Sequence, residues 1–178
     1  FTTITELNLT TMNNLDTLYV DSFNSLSSIQ FPSNNNLKFL SLYRCRYFLP
    51  DPINLSNLEE LQVEQSLAPI MNFTALAALK RLILRENDAV TFVDVSGLSN
   101  LVSLGIGYSG SLSGINLSGL VSLTSLGIFD STLNTIDVSD AISLQTMYIP
   151  TYTQNIFAKN GRNETITFGI GGESPTGV

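Results

Sequence analysis

Aliphatic residues recur along the chain in the order L-x-x-L-x-(aliphatic), with mostly polar residues between them. The motif begins at Leu15, Leu37, Leu58, Leu79, Leu101, Leu123 and Leu144, at intervals of 22, 21, 21, 22, 22 and 21 residues. Its third site is Val20, Leu42, Val63, Leu84, Ile106, Ile128 and Ile149. A weaker eighth copy, Thr165-x-x-Phe168-x-Ile170, follows 21 residues after Leu144. In each copy the last two apolar positions flank a single intervening residue, the period of a strand with one buried face. A second ladder stands seven residues before each starting Leu: Asn8, Gln30, Asp51, Asn72, Asp94, Asn116 and Asp137. Most of its members sit between apolar residues, as in LNLTT (7–11), VDVSG (93–97), INLSG (115–119) and IDVSD (136–140). Residues 49–53, LPDPI, depart from this, with Pro50 and Pro52 expected to distort their turn.

Such a strand cannot bury its apolar face alone, so the repeat predicts coils that stack around one continuous core. The Asn/Asp ladder has the same period of two and predicts short extended segments on the opposite side of each coil. No ten-residue amphipathic pattern lies between strands, and Gly97, Gly114 and Gly119 disfavour long helices.

On these motifs the chain resembles a leucine-rich-repeat protein over roughly residues 4–170. In that family the ninth position of a repeat is usually Asn or Cys, whose side chain bonds backbone groups of the turn. Cys45, Ser66, Asn87, Ser109 and Ser131 fit that slot here, whereas Phe23 and Tyr152 do not. The IDVS-like element is similar to repeats of secreted and surface proteins of Bacteroidetes-type bacteria. The resemblance implies a solenoid of right-handed coils, with a concave parallel sheet of about eight strands and short extended or irregular convex segments. It further implies that the concave face binds other macromolecules. The Cys-rich caps of animal extracellular members are absent, which speaks against an animal receptor.

Residues 4–14 match the second half of a repeat, so the solenoid, placed at 1–170, is expected to start mid-repeat. Asn160-Gly161 signals a turn before the last strand, and the final GGESPTGV (171–178) is linker-like. A solenoid needs polar caps, and none is evident, so further domains or neighbouring subunits are expected to cover at least one end.

Composition narrows the chemistry. Of 178 residues only 13% are charged, about half of the roughly 25% usual in soluble domains. There is no His and one Cys, so this chain cannot build a Ser-His-Asp triad, a His-liganded zinc site or an internal disulfide. A net charge of −7 with eight Lys and Arg argues against nucleic acid or an anionic membrane as partner. No apolar run reaches the length of a membrane span, so direct membrane insertion is not expected.

Read strand by strand, the outward positions offer two candidate surfaces. The first is charged. Five of the eight basic residues, including Arg44, Arg81 and Arg85, flank a row containing Glu59, Glu60 and Glu64. This is either a recognition stripe that orients a partner or a set of cross-strand pairs that satisfy one another. The second is aromatic: Tyr19, Phe39 and Tyr43 at one end, and Tyr108, Phe129 and Tyr148 among Gly and Ser at the other. The latter trio is either a sticky patch for a protein or glycan, or a cover for sheet left bare by Gly105, Gly107 and Gly127.

Other features read as structural. The Asn/Asp ladder lacks the Gly-Gly-x-Gly-x-Asp spacing of calcium-binding solenoids and suits turn hydrogen bonding. Five Asn-x-Ser/Thr sequons, at Asn8, Asn54, Asn72, Asn116 and Asn163, are little above chance in so Asn- and Ser/Thr-rich a chain. Cys45 reads as a buried structural thiol. Neither cofactor, metal nor catalytic residue is expected. The sequence points to a non-catalytic module that binds protein or glycan, part of a larger extracellular or cell-surface protein. The rival readings are a structural spacer or assembly subunit of a surface layer or virion, and the targeting segment of an enzyme.

Overall fold

The computed structural model describes residues 4–33, 36–46, 55–158 and 166–170. Among them are fifteen strands, numbered in chain order, and no helix. Every L-x-x-L-x-(aliphatic) copy forms a strand of one large parallel sheet. Its members are β2 (Thr17–Asp21), β4 (Phe39–Tyr43), β5 (Glu60–Glu64), β7 (Arg81–Arg85), β9 (Ser103–Gly107), β11 (Ser125–Ile128), β13 (Thr146–Ile149) and β15 (Thr167–Ile170). Their spatial order is their order in the chain. Between them, on the other side of the coils, lie three-residue strands, six of which end on a ladder residue. These are β1 (Glu6–Asn8), β3 (Ser28–Gln30), β6 (Ile70–Asn72), β8 (Phe92–Asp94), β10 (Gly114–Asn116), β12 (Thr135–Asp137) and β14 (Asn155–Phe157). They pair in parallel as β1–β3, β6–β8–β10 and β12–β14. The chain is thus a parallel β-solenoid of about seven turns.

The register stacks identical repeat positions. Leu18, Leu40, Leu61, Leu82, Leu104, Leu126, Met147 and Phe168 form one column, and Val20, Leu42, Val63, Leu84 and Ile106 begin the next. Between Leu37 and Met147 these columns are 0–2% exposed. Burying one such side chain is worth roughly 1.5–3 kcal/mol, but only once the next coil is in place.

A three-residue apolar spacing leads into each strand, as in Phe73, Leu76, Leu79 and Leu82. It comes from two consecutive tight turns: Leu76 N donates to Phe73 O and Leu79 N to Leu76 O, both at 2.9 Å. The same pair of bonds recurs at Val95–Leu98–Leu101 and Val138–Ala141–Leu144. Three residues per turn place each apolar side chain back over the same interior side.

The Asn/Asp ladder sets up those turns. Asn8, Asn72, Asp94, Asn116 and Asp137 each accept through Oδ1 from the backbone N–H two residues on, at 2.9–3.2 Å. In Asn8, Asn72 and Asn116 the Thr or Ser hydroxyl there adds a second bond of 2.8 Å to the same oxygen. This Asx-turn explains why Asn/Asp is followed two residues later by Ser/Thr. Where Gly follows the Ser, Gly97 and Gly119 take φ of 74° and 75°, a region open to Gly without steric cost.

At the ninth-position slot the side chains turn inward. Cys45, Ser66, Asn87 and Ser109 are buried. Asn87 Nδ2 donates to Val63 O at 3.0 Å while its Oδ1 accepts from Ser66 N at 2.9 Å, tying adjacent coils together. Cys45 Sγ lies 3.6 Å from the carbonyls of Val20 and Tyr43, and burial raises its pKa, so it is a structural thiol. Of the two departures, Phe23 packs against the core and Tyr152 is 79% exposed.

The sequence readings at Pro50, Asp51 and Pro52, at Asn54, at Asn160 to Thr165, and over 171–178 fall outside the described residues.

Candidate recognition surface

The outward positions of the large sheet form three columns. One runs Phe39, Glu60, Arg81, Ser103, Ser125, Thr146; the next runs Tyr19, Ser41, Gln62, Ile83, Gly105, Gly127, Tyr148; the third runs Asp21, Tyr43, Glu64, Arg85, Gly107. Ahead of the strands, Lys38, Glu59 and Lys80 occupy equivalent places in successive coils.

In the first half these columns are occupied by charges that bond one another. Glu59 lies between two ammonium groups, accepting from Lys38 through Oε1 and from Lys80 through Oε2, the latter at 2.7 Å. Those two bonds hold the Glu59 carboxyl down at about 2. Glu60 approaches Arg81 Nε at 3.7 Å and accepts from Gln62 Nε2 at 2.9 Å. Glu64 stands beside Arg85 in the register, yet burial, with Glu86 adding to it, pushes its pKa up against the pull of Arg85 and Arg44. Of the two readings of the stripe, cross-strand pairing accounts for Glu59 and Glu60. At the same end the Tyr19 and Phe39 rings are 5.0 Å apart, with Tyr19 71% exposed. Tyr43 is half-buried beneath the Arg44 guanidinium, 4.7 Å from the ring centroid.

Of the two readings of the C-terminal aromatic trio, the covering of glycines describes Phe129 and Tyr148. Phe129 is only 4% exposed. Its ring lies over Gly127, where an added Cβ would stand 3.0 Å from Phe129 Cε2. Tyr148, 6.2 Å from Phe129 between centroids, is half-buried and covers Gly169 in the same way. These two rings therefore fill the space above glycines, and Phe129 is corrected from a ligand-facing residue to a packing one. Tyr108 alone of the trio is substantially exposed, at 47%.

Two residues placed on the sheet by sequence lie just beyond it. β4 ends at Tyr43 and β9 at Gly107, so Arg44 and Tyr108 occupy the turn at the sheet's edge. Six successive coils place the same repeat position in left-handed conformation: Ser22, Arg44, Gln65, Glu86, Tyr108 and Asp130, with φ between 46° and 62°. None is Gly, so composition gave no cue; counting from each starting Leu does, because all six stand seven residues after it. The turn bends the chain off the sheet and sends the next residue, the slot position, inward.

Among the described residues, no group of three or more His, Cys, Asp and Glu is gathered to hold a metal ion. Nor do the described residues contain a helix long and apolar enough to cross a membrane. The chain matches no protein-family model and no curated protein.

Proposed function

We propose that this chain is a leucine-rich-repeat recognition module of a larger extracellular or cell-surface protein, binding a protein or glycan without catalysis. Its coils are right-handed and its large sheet is the concave side. The observation that carries the reading is the sheet itself: eight strands in unbroken register present columns of side chains on a rigid scaffold. The ninth-position slot, with buried Asn87, Ser66 and Cys45 bonding backbone groups, supports the family reading. The absence of His leaves carboxylates as the main acid–base groups, and two carboxylates of the sheet face, Glu59 and Glu60, are engaged in pairing. Tyr19, with most of its ring in solvent, and the Tyr43–Arg44 stack are the face residues best able to contribute new contact area.

The experiment is a binding screen of the chain against extracellular glycans and surface proteins, repeated with Tyr19→Ser and Tyr43→Ser. A ligand whose affinity drops about tenfold or more in either variant, with an unchanged melting temperature, supports the reading. A ligand indifferent to both removes the sheet face from recognition.

A structural role has its own observation. The last coil exposes Phe157 and Phe168 at 52% and Ile170 at 73%, an apolar end suited to stacking against another subunit. Sedimentation equilibrium separates the readings: concentration-dependent association abolished by Phe168→Ser and Ile170→Ser favours an assembly subunit.

A further inference from the structure

The left-handed turns build a feature that the repeat pattern alone does not describe. Along one edge of the large sheet, two rows of outward residues run across the coils, on either side of the buried slot column. The inner row contains Arg44, Gln65 and Glu86; the outer row contains Arg46, Leu67 and Asp88. Between them lies a groove of about 650 Å³, with Asn24 at one end and Tyr108 at the other.

Its floor is pre-ordered. Arg44 Nε donates to Gln65 Oε1 at 3.0 Å, and Gln65 Nε2 donates to Glu86 Oε2 at 2.6 Å. This chain of bonds holds a cation at one coil and a carboxylate two coils further on. The outer row repeats the polarity, because Arg46 stands beyond Arg44 and Asp88 beyond Glu86. Both are exposed, and neither side chain enters an ion pair among the described residues. The groove thus has two cationic groups at one end and two anionic groups at the other, in contrast to the sheet face, where Lys38, Glu59 and Lys80 neutralise one another.

Spacing selects the ligand. Neighbouring coils in a parallel sheet are about 4.8 Å apart, so the cationic and anionic ends are separated by about 10 Å. A free amino acid is too short to span that distance. An extended peptide rises about 3.3 Å per residue and covers it in three residues. Leu67 lies between the charged ends as an apolar floor, and Tyr108, exposed beyond the acidic end, offers a ring to the next side chain.

A second hollow of about 290 Å³ lies further along the same edge, between the coils of Gly110, Asp130 and Tyr152. It is lined in part by Ser131, whose buried hydroxyl has no hydrogen-bond partner among the described residues. The edge is therefore open to a chain longer than the charged segment alone.

We infer that this edge groove binds an extended peptide segment carrying an Asp or Glu and, three residues away, a Lys or Arg, its carboxylate at Arg44 and Arg46 and its cation at Glu86 and Asp88. The inference rests on the recognition reading and gives it a second site, beside the sheet face and sharing Arg44 with it.

The test is selection of linear octapeptides from a random library on the full chain and on R46E, D88K and R46E/D88K, each first checked for an unchanged melting temperature. The unaltered chain should retain peptides with opposite charges three residues apart. Each single variant should weaken a fluorescein-labelled retained peptide about tenfold or more, and R46E/D88K, which leaves one cation and one carboxylate at each end, should no longer select for the charge pair. Retained peptides without the charge pair, or a charge pair selected as strongly by R46E/D88K, overturn the inference. So does peptide binding lost in Tyr19→Ser and kept in R46E/D88K, which would leave recognition by the sheet face standing. Failure to retain any peptide overturns the edge site alone, because the recognition reading also admits glycans and folded proteins.

Discussion

In β4, β5 and β7 the outward positions of the large sheet carry Tyr43, Glu60, Glu64, Arg81 and Arg85, whereas β9 and β11 carry Ser and Gly in the same columns. The first half covers its strands with long side chains that bond across coils. The second half has almost no side chain of its own at those positions, and Phe129 and Tyr148 fold over Gly127 and Gly169 instead. Both halves stand on the same leucine columns. Their outer layers nonetheless depend on different forces: salt-screened charge pairing in one, apolar ring packing in the other.

Phe129→Ala is the most severe way to break this comparison. It removes a ring that is 4% exposed and uncovers the glycine strand, with an expected loss of about 3 kcal/mol in urea denaturation. Tyr19→Ala, at the opposite end and 71% exposed, should cost less than about 1 kcal/mol. Equal losses would show that the rings of the second half are not its structural cover.

Gly127→Ala is milder. The new Cβ would meet the Phe129 ring at 3.0 Å and displace it, at a cost of about 1 kcal/mol. Gly110→Ala meets nothing within 4 Å and should change the melting temperature negligibly. Similar destabilisation at both positions would mean that loss of glycine itself, and not displacement of the ring, is what matters.

Glu59→Gln removes the shared partner of Lys38 and Lys80 on an exposed surface. The melting temperature should fall slightly at low salt, and the difference from the unaltered chain should vanish near 1 M salt. The Phe129→Ala deficit should persist there. A Glu59→Gln deficit unaffected by salt would place the stability of the charged half in packing.

The smallest effect is the pH response of the charged half, read by carboxyl NMR. Glu59, held at about 2 by its two lysine bonds, stabilises the fold above the usual glutamate range, and that contribution is lost as pH falls toward about 2. Glu64 has the opposite sign: its raised pKa means the fold favours its protonated form, so its penalty is relieved as pH falls through the folded value. Coincident titration of the two carboxyls would remove this distinction.

Much of this was legible in the repeat. The starting leucines located the strands of the large sheet, including the weak eighth copy that became β15, and the Asn/Asp ladder located six of the three-residue strands opposite but not β14. The family resemblance assigned Ser66 and Asn87 to a slot that bonds backbone groups of the turn, and the structure shows that slot to be buried. The cross-strand partners of Glu59 were anticipated as one of two readings, since alternating charge in register is self-complementary. The covering role of Phe129 was one of two readings that the sequence left open. Strand alternation assigns a residue to a side of the sheet and does not say whether a ring stands up into solvent or lies down on a neighbouring glycine.

What the sequence determined by itself was periodicity: the length of each coil, the columns of leucine and the places where the backbone must turn. These follow from spacing, because apolar residues at fixed intervals can be buried together in only a few ways. Tertiary structure alone decided which neighbour fills each gap and where unpaired charge remains. Arg46 and Asp88 lie 42 positions apart in the chain, and only the stacking of coils two turns apart makes them opposite ends of one groove. The left-handed turns that open that groove fall on Arg, Gln, Glu and Tyr, residues whose identity gives no local sign of such a conformation; the closed geometry of the stacked coil imposes it.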